Sequence, residues 1–188
     1  MYFSVGYPLG WFQANADGEE LEHKNKLNFQ NKSVMLDGLL NSAWLMIDSN
    51  KTDDVLVSEI NELIAQFNNV PESYNALYVL KHLMELGCVL HVNSNEELFE
   101  SVKGFKLFRN GLHHCDQNAM QERREWHDMI YHGFEPSRVS GTQLDIWREG
   151  DGVQTIEAVF KKFPANIPVS VFLENLFYLK IEGLLFII

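Results

Sequence analysis

At 188 residues, with 46 % hydrophobic and 12 % aromatic side chains, the chain can bury one core or two small ones, which excludes a disordered or fibrous polymer. Its 15 basic against 26 acidic side chains leave a formal charge of −11 with no net basic segment. The phosphate neutralisation behind nucleic-acid affinity is therefore disfavoured from the outset.

Residues 2–13 mix Tyr, Phe, Val and Trp with Gly6, Pro8 and Gly10, and a turn follows at Asn15-Ala16-Asp17-Gly18. Leu27-Asn28-Phe29 and Val34-Met35-Leu36 read as strand pieces, so the start of the chain is a β-rich lead-in. It lacks the basic region and continuous apolar core of a signal peptide, and the apolar run Leu184 to Ile188 is too short to span a bilayer. The expected compartment is the cytoplasm.

From Asp37 to Ile47 the apolar residues Leu39, Leu40, Ala43, Trp44 and Ile47 fall on one helical face. Thr52-Asp53-Asp54 supplies a hydroxyl cap and first-turn carboxylates for a second helix through Phe67. Pro71-Glu72 opens a third helix carrying Leu77, Leu80 and Leu83, and Gly87 stops it. Cys88 to Val92 is expected to be extended, with a further strand at Phe105 to Phe108 beyond the acidic Asn95 to Glu100 segment. Charged residues with Ala119, Met120, Trp126 and Ile130 at near-helical spacing then predict a connecting helix within 113–136. After it come a helix starting at Ser140, a Thr155-capped helix through Phe160, a helix over Val169 to Ile181 and a last strand at Leu184 to Ile188.

Two stretches of this order match. Gly38, Trp44, Asp48 and Thr52 recur 103 positions later as Gly141, Trp147, Asp151 and Thr155. Leu77, Leu80, Leu83 and Gly87 recur 96 positions later as Leu173, Leu176, Leu179 and Gly183. An internal repeat makes each copy one supersecondary unit, although two unrelated helical hairpins sharing ordinary helix punctuation give part of the same pattern. The expected fold is α+β and mainly helical, with two winged-helix-like units, the first with the lead-in at 1–112 and the second at 137–188, joined by the helical connector at 113–136.

Trp147, Asp151-Gly152, Thr155-Ile156, Val159, Leu176, Leu179, Gly183 and Leu184-Leu185 carry a resemblance to PqqD-like peptide-binding modules and, more broadly, to winged-helix domains. The resemblance implies peptide binding for the second unit. In a winged helix the third helices would read DNA, yet the polar positions there include Glu72, Glu85, Glu174 and Glu182 with only Lys81 and Lys180 as lysines. Acidic tandem winged helices resemble instead the adaptor subunits of larger assemblies.

The final helix is apolar over Phe172, Leu173, Leu176, Phe177, Tyr178, Leu179 and Ile181, more than one packing face requires. Either another part of the chain covers its second side, or a partner or second copy docks on Phe172, Phe177 and Tyr178, with Trp126 of the connector as a further contact. His113, His114 and Cys115, with His127 and His132, have the side chains of a metal site, and a small metal-dependent enzyme built on them is the competing reading. No HExxH or CxxC accompanies them, His127 and His132 do not stack on one helical face, and Cys88 reads as a buried reduced thiol. Walker, GxGxxG and GxSxG loops are missing. The sequence therefore predicts a non-catalytic protein- or peptide-binding adaptor or regulator without a cofactor, with a protein partner or homodimer in place of nucleic acid or membrane and a DNA-binding regulator as a further alternative.

Overall fold

The computed structural model describes residues 1–16, 19–30, 32–47, 51–68, 70–116, 128–132 and 135–188, with side chains for all of these but 10–16, 19–23 and 135. The chain divides into two compact units, Met1–Ser94 and Asn95–Ile188.

The first unit runs β1 (Tyr2–Ser4), β2 (Tyr7–Ala16), β3 (Glu19–Phe29), β4 (Lys32–Leu36), α1 (Gly38–Met46), α2 (Asp53–Ile64), α3 (Ala76–Glu85) and β5 (Val89–His91). Strands β2, β3 and β4 form an antiparallel meander in that order, while β1 pairs with β5. Alternation sets which face of the meander is buried: Leu27, Phe29 and Leu36 point into the core, while Met35 points outward. Against that face pack Leu39, Leu40, Ala43 and Trp44 of α1, Leu56 and Ile60 of α2, and Val79, Leu80 and Leu83 of α3. Asp37 caps α1 by accepting from the Leu40 amide, and Asn75 caps α3 by accepting from the Tyr78 amide. Thr52 stands at the head of α2 but its hydroxyl makes no capping bond.

The second unit runs α4 (Asn95–Val102), β6 (Lys106–Arg109), β7 (Leu112–Cys115), β8 (Asp128–His132), β9 (Glu135–Val139), α5 (Gly141–Arg148), β10 (Asp151–Thr155), α6 (Ile156–Phe160), α7 (Val169–Ile181) and β11 (Leu185–Ile187). Strands β7, β8 and β9 form a second antiparallel meander, and β6 lies between β10 and β11 in another antiparallel sheet. Ser140 and Gln143 close a reciprocal capping box on α5, and Thr155 caps α6 by accepting from the Ala158 amide. Phe160 meets Phe99 and Phe172 edge-on at 5.1 Å in both cases, and Phe163 meets Phe172 at 5.6 Å, so α4, α6 and α7 share one aromatic core.

Each unit is closed by the same kind of lock. The Trp44 indole donates to the Val5 carbonyl at 3.1 Å and the Trp147 indole to the Asn110 carbonyl at 3.0 Å. Val5 in turn donates its amide to Cys88, and Asn110 to Leu184. The last helices end alike. Gly87 (φ 79°) and Gly183 (φ 66°) take the left-handed conformation that suits glycine, and the following amides of Cys88 and Leu184 reach back to Leu83 and Leu179.

Three expectations are corrected. The fold is not mainly helical; it is a mixed α+β structure of several small antiparallel sheets and helices. The helical connector expected at 113–136 is instead β7, β8 and the start of β9 wherever it is described, because Ile130 alternates with outward residues and is buried under the meander. The boundary falls at Ser94 rather than at 112, since β6 pairs with β11 and belongs to the second unit. The acidic Asn95 to Glu100 segment opens helix α4, in which Leu98, Phe99 and Val102 are buried.

Candidate functional site

Among the residues expected to dock a partner, Phe172 is fully buried in the aromatic core and Phe177 is buried as well. Packing of α4, α5 and β11 on α7 supplies the cover that its apolar breadth demands. Tyr178 is half-buried, and its hydroxyl donates to the Arg138 carbonyl at 2.9 Å. Burial, with the nearby Glu182 charge, pushes that hydroxyl above its ordinary pKa. Trp126 lies outside the described residues.

The histidine and cysteine candidates are spread over β7 and β8. Register places His113 opposite Ile130, His114 opposite Met129 and Cys115 opposite Asp128, so His113 and His114 point to opposite sides of the sheet. His113 Nε2 sits 2.7 Å from Asp128 Oδ1 in a largely buried pair, and the His114 ring meets Tyr131 edge-on at 6.0 Å. His132 Nδ1 accepts from the Asn110 side chain at 2.8 Å. His127 lies outside the described residues. Among the described residues no three His, Cys, Asp or Glu side chains converge into a metal site.

An open surface hollow of about 240 Å³ is lined by Asp145, Arg148, Glu149, Lys162, Phe163 and Pro164. Its carboxylates and cations already face one another. The Lys162 ammonium, 2.6 Å from Glu149, holds that carboxyl below its usual range against the opposing effect of burial, and Gln154 adds a bond at 2.7 Å. The rim thus pairs its charges with one another, Glu149 with Lys162 and, more loosely at 3.7 Å, Asp145 with Arg148.

The remaining feature is backbone. In each meander an outer strand, β4 or β9, lies at the sheet edge immediately before the helices. Phe29 pairs with Lys32, only two positions intervene in sequence and Gln30 has φ 43°, so Lys32, Val34 and Leu36 bond to β3 while Ser33 and Met35 turn their amides and carbonyls outward. Among the described residues no hydrogen bond reaches those outward groups. From Asp37, at the end of β4, an aromatic row leads away: Tyr74 lies tilted against Tyr78 with ring centres 4.5 Å apart, and Tyr78 is parallel to His82 at 6.4 Å. The Tyr74 hydroxyl is held above its ordinary pKa by its bond with Tyr78, by burial and by the charges of Tyr78 and Asp37. Sequence reasoning found the strand pieces but not the edge, since strand order in a sheet is not written in periodicity. The one local signal was the short polar stretch Gln30-Asn31 between apolar runs.

No protein-family model, curated protein or solved structure matches this chain. No helix among the described residues is long and apolar enough to cross a membrane.

Proposed function

We propose that the protein is a non-catalytic, cytoplasmic adaptor or regulator that binds another protein through an extended peptide, and that its two units are copies of one module. The duplication is supported by the matching tryptophan locks, glycine stops and first-to-last strand pairings of the two units. The likeness to PqqD-like and winged-helix modules carries the same implication of peptide or protein binding.

The observation that carries the functional reading is the edge of β4, unpaired among the described residues, with the outward backbone groups of Ser33 and Met35. An extended peptide added there gains main-chain hydrogen bonds without any side-chain chemistry from the protein. The formal charge of −11 argues for a protein partner over nucleic acid.

The test is affinity capture from the native host with mass spectrometry, comparing wild type, Met35→Ala and Met35→Pro. Proline removes only an outward amide at this position and leaves the β3 ladder intact. A stoichiometric partner kept by Met35→Ala and lost by Met35→Pro is the expected result. A partner held equally by all three proteins would overturn the reading.

A further inference from the structure

Going beyond strand addition at β4 and independent of it, we infer that the outer face of the second meander docks a segment of another protein in which apolar side chains alternate with carboxylates. The contact is made by side chains on the flat of the sheet, whereas strand addition uses main chain at an edge.

Register defines the face. Residues directly opposite in an antiparallel ladder share a side, so Leu112, Tyr131 and Pro136 form one row across the three strands and His114, Met129 and Arg138 the next. Ile130 and Val139 lie on the other side and are buried, so both rows face solvent. Leu112 is 78 % exposed and Tyr131 38 %; His114, Pro136 and Arg138 are exposed as well, and Met129 is half-buried. A sheet with one solvated face ordinarily turns polar side chains outward. In the first meander β3 and β4 do so, with Lys26, Asn28 and Ser33 beside Met35. Here Leu112, Met129, Tyr131 and Pro136 are apolar, and an apolar face left in water marks a contact surface.

Charge selects the occupant. Neither row holds a carboxylate, although the chain has 26 of them. Asp128 and Glu135 hold register positions on the opposite face, where Asp128 bonds His113, and Glu182 accepts from Ser137. Asp116, past the end of β7, is already engaged, and residues 117–127 contain two glutamates and two arginines, which cancel. The polar groups of the face are therefore the Arg138 guanidinium and the His114 imidazole, about 10 Å apart over two strand spacings. A carboxylate meets a guanidinium with two parallel bonds. The apolar row lies about 7 Å away along the strands, the distance between alternate residues of an extended segment. An apolar residue followed two positions on by Asp or Glu matches both rows.

Other occupants match less of the face. One arginine neutralises too few phosphates for a nucleic acid. A second copy stacked by the same face brings no carboxylate, and two rows on three strands fall far below the roughly 800 Å² per partner of a stable dimer. The overall charge of −11 does not forbid an acidic segment, since charges more than about 10 Å away are screened at about 0.1 M salt.

The experiment titrates the full chain with an end-capped peptide alternating leucine and glutamate, with its leucine–lysine twin, and with a single-stranded DNA oligonucleotide. NMR follows the Leu112 and Met129 methyl groups, the Arg138 side-chain N–H and the Ser33 and Met35 amides. The glutamate peptide is expected to shift the methyl groups and the Arg138 N–H, and the lysine twin to leave them unmoved. Leu112→Ser and Arg138→Glu change exposed side chains, and each is expected to weaken binding about tenfold with the backbone spectrum of the meander retained. Shifts confined to Ser33 and Met35 overturn the docking face and leave strand addition at β4 standing. Equal binding of the lysine twin, full affinity in either variant, or no shift at the face with excess glutamate peptide also overturns it. A stronger response to the oligonucleotide, or the same shifts on concentrating the protein alone, overturns the occupant in favour of nucleic acid or a second copy.

Discussion

Cys88 is fully buried with its thiol bonded to the Leu83 carbonyl, and burial pushes its pKa up to about 12, whereas Cys115 on β7 is only half-buried. A thiolate is the reactive form, so the two cysteines separate by environment rather than by neighbours in sequence. An aromatic disulfide reagent is expected to titrate one thiol in the native protein and both in urea, and Cys115→Ser is expected to remove the fast one. Two fast native thiols would contradict this. A carboxylate gives a second residue-scale test. Because the Lys162 bond lowers the Glu149 pKa in the fold, its contribution is present above the ordinary carboxylate range and is lost as pH falls through the folded value. The stability gap between wild type and Glu149→Gln, from urea midpoints, is expected at neutral pH and to close as pH falls below the ordinary carboxylate range. A gap that widens on acidification would show that the pair opposes folding.

Helices and strands differ in how openly the sequence declared them. Helix α7 was read at its observed limits and α1 within one residue at either end, because Leu39, Leu40, Ala43 and Trp44 hold a helical face and Asp37 and Gly183 punctuate the ends. The meander of the second unit was missed for a physical reason. His113, His114 and Cys115 give no apolar alternation, and the spacing of Trp126 and Ile130 imitates a helix, while strand identity comes from cross-strand partners. The candidate site suffered most: an outward amide depends on register, and only the assembled hairpin decides it. Two look-alike caps sharpen the same lesson. Thr155 bonds the Ala158 amide but the Thr52 side chain makes no capping bond. Thermal or urea unfolding should show a loss of about 1 kcal/mol for Thr155→Ala and little for Thr52→Ala. Equal losses would mean that Thr52 acts through something other than capping.

At the scale of the molecule, two units with separate cores make damage to one readable against the other. Leu184, Leu185 and Ile187 are buried, and each such side chain contributes roughly 1.5–3 kcal/mol as an upper bound. Against a net stability of about 5–15 kcal/mol, deleting residues 184–188 is expected to unfold the second unit while the first retains its structure. Limited proteolysis should then leave a resistant fragment ending near Ser94, and an unchanged melting curve would refute the assignment.

The pairing of β1 with β5, and of β6 with β11, also sets a schedule for synthesis. On the ribosome the first unit can assemble its meander and helices early, but Phe3 finds its partner Leu90 only when nearly all of the unit has emerged. Until then the indole of Trp44 waits for a Val5 carbonyl that β5 has not yet pinned. Each unit is therefore a latch that engages last, and the nascent chain passes through that unlatched stage twice before it is complete.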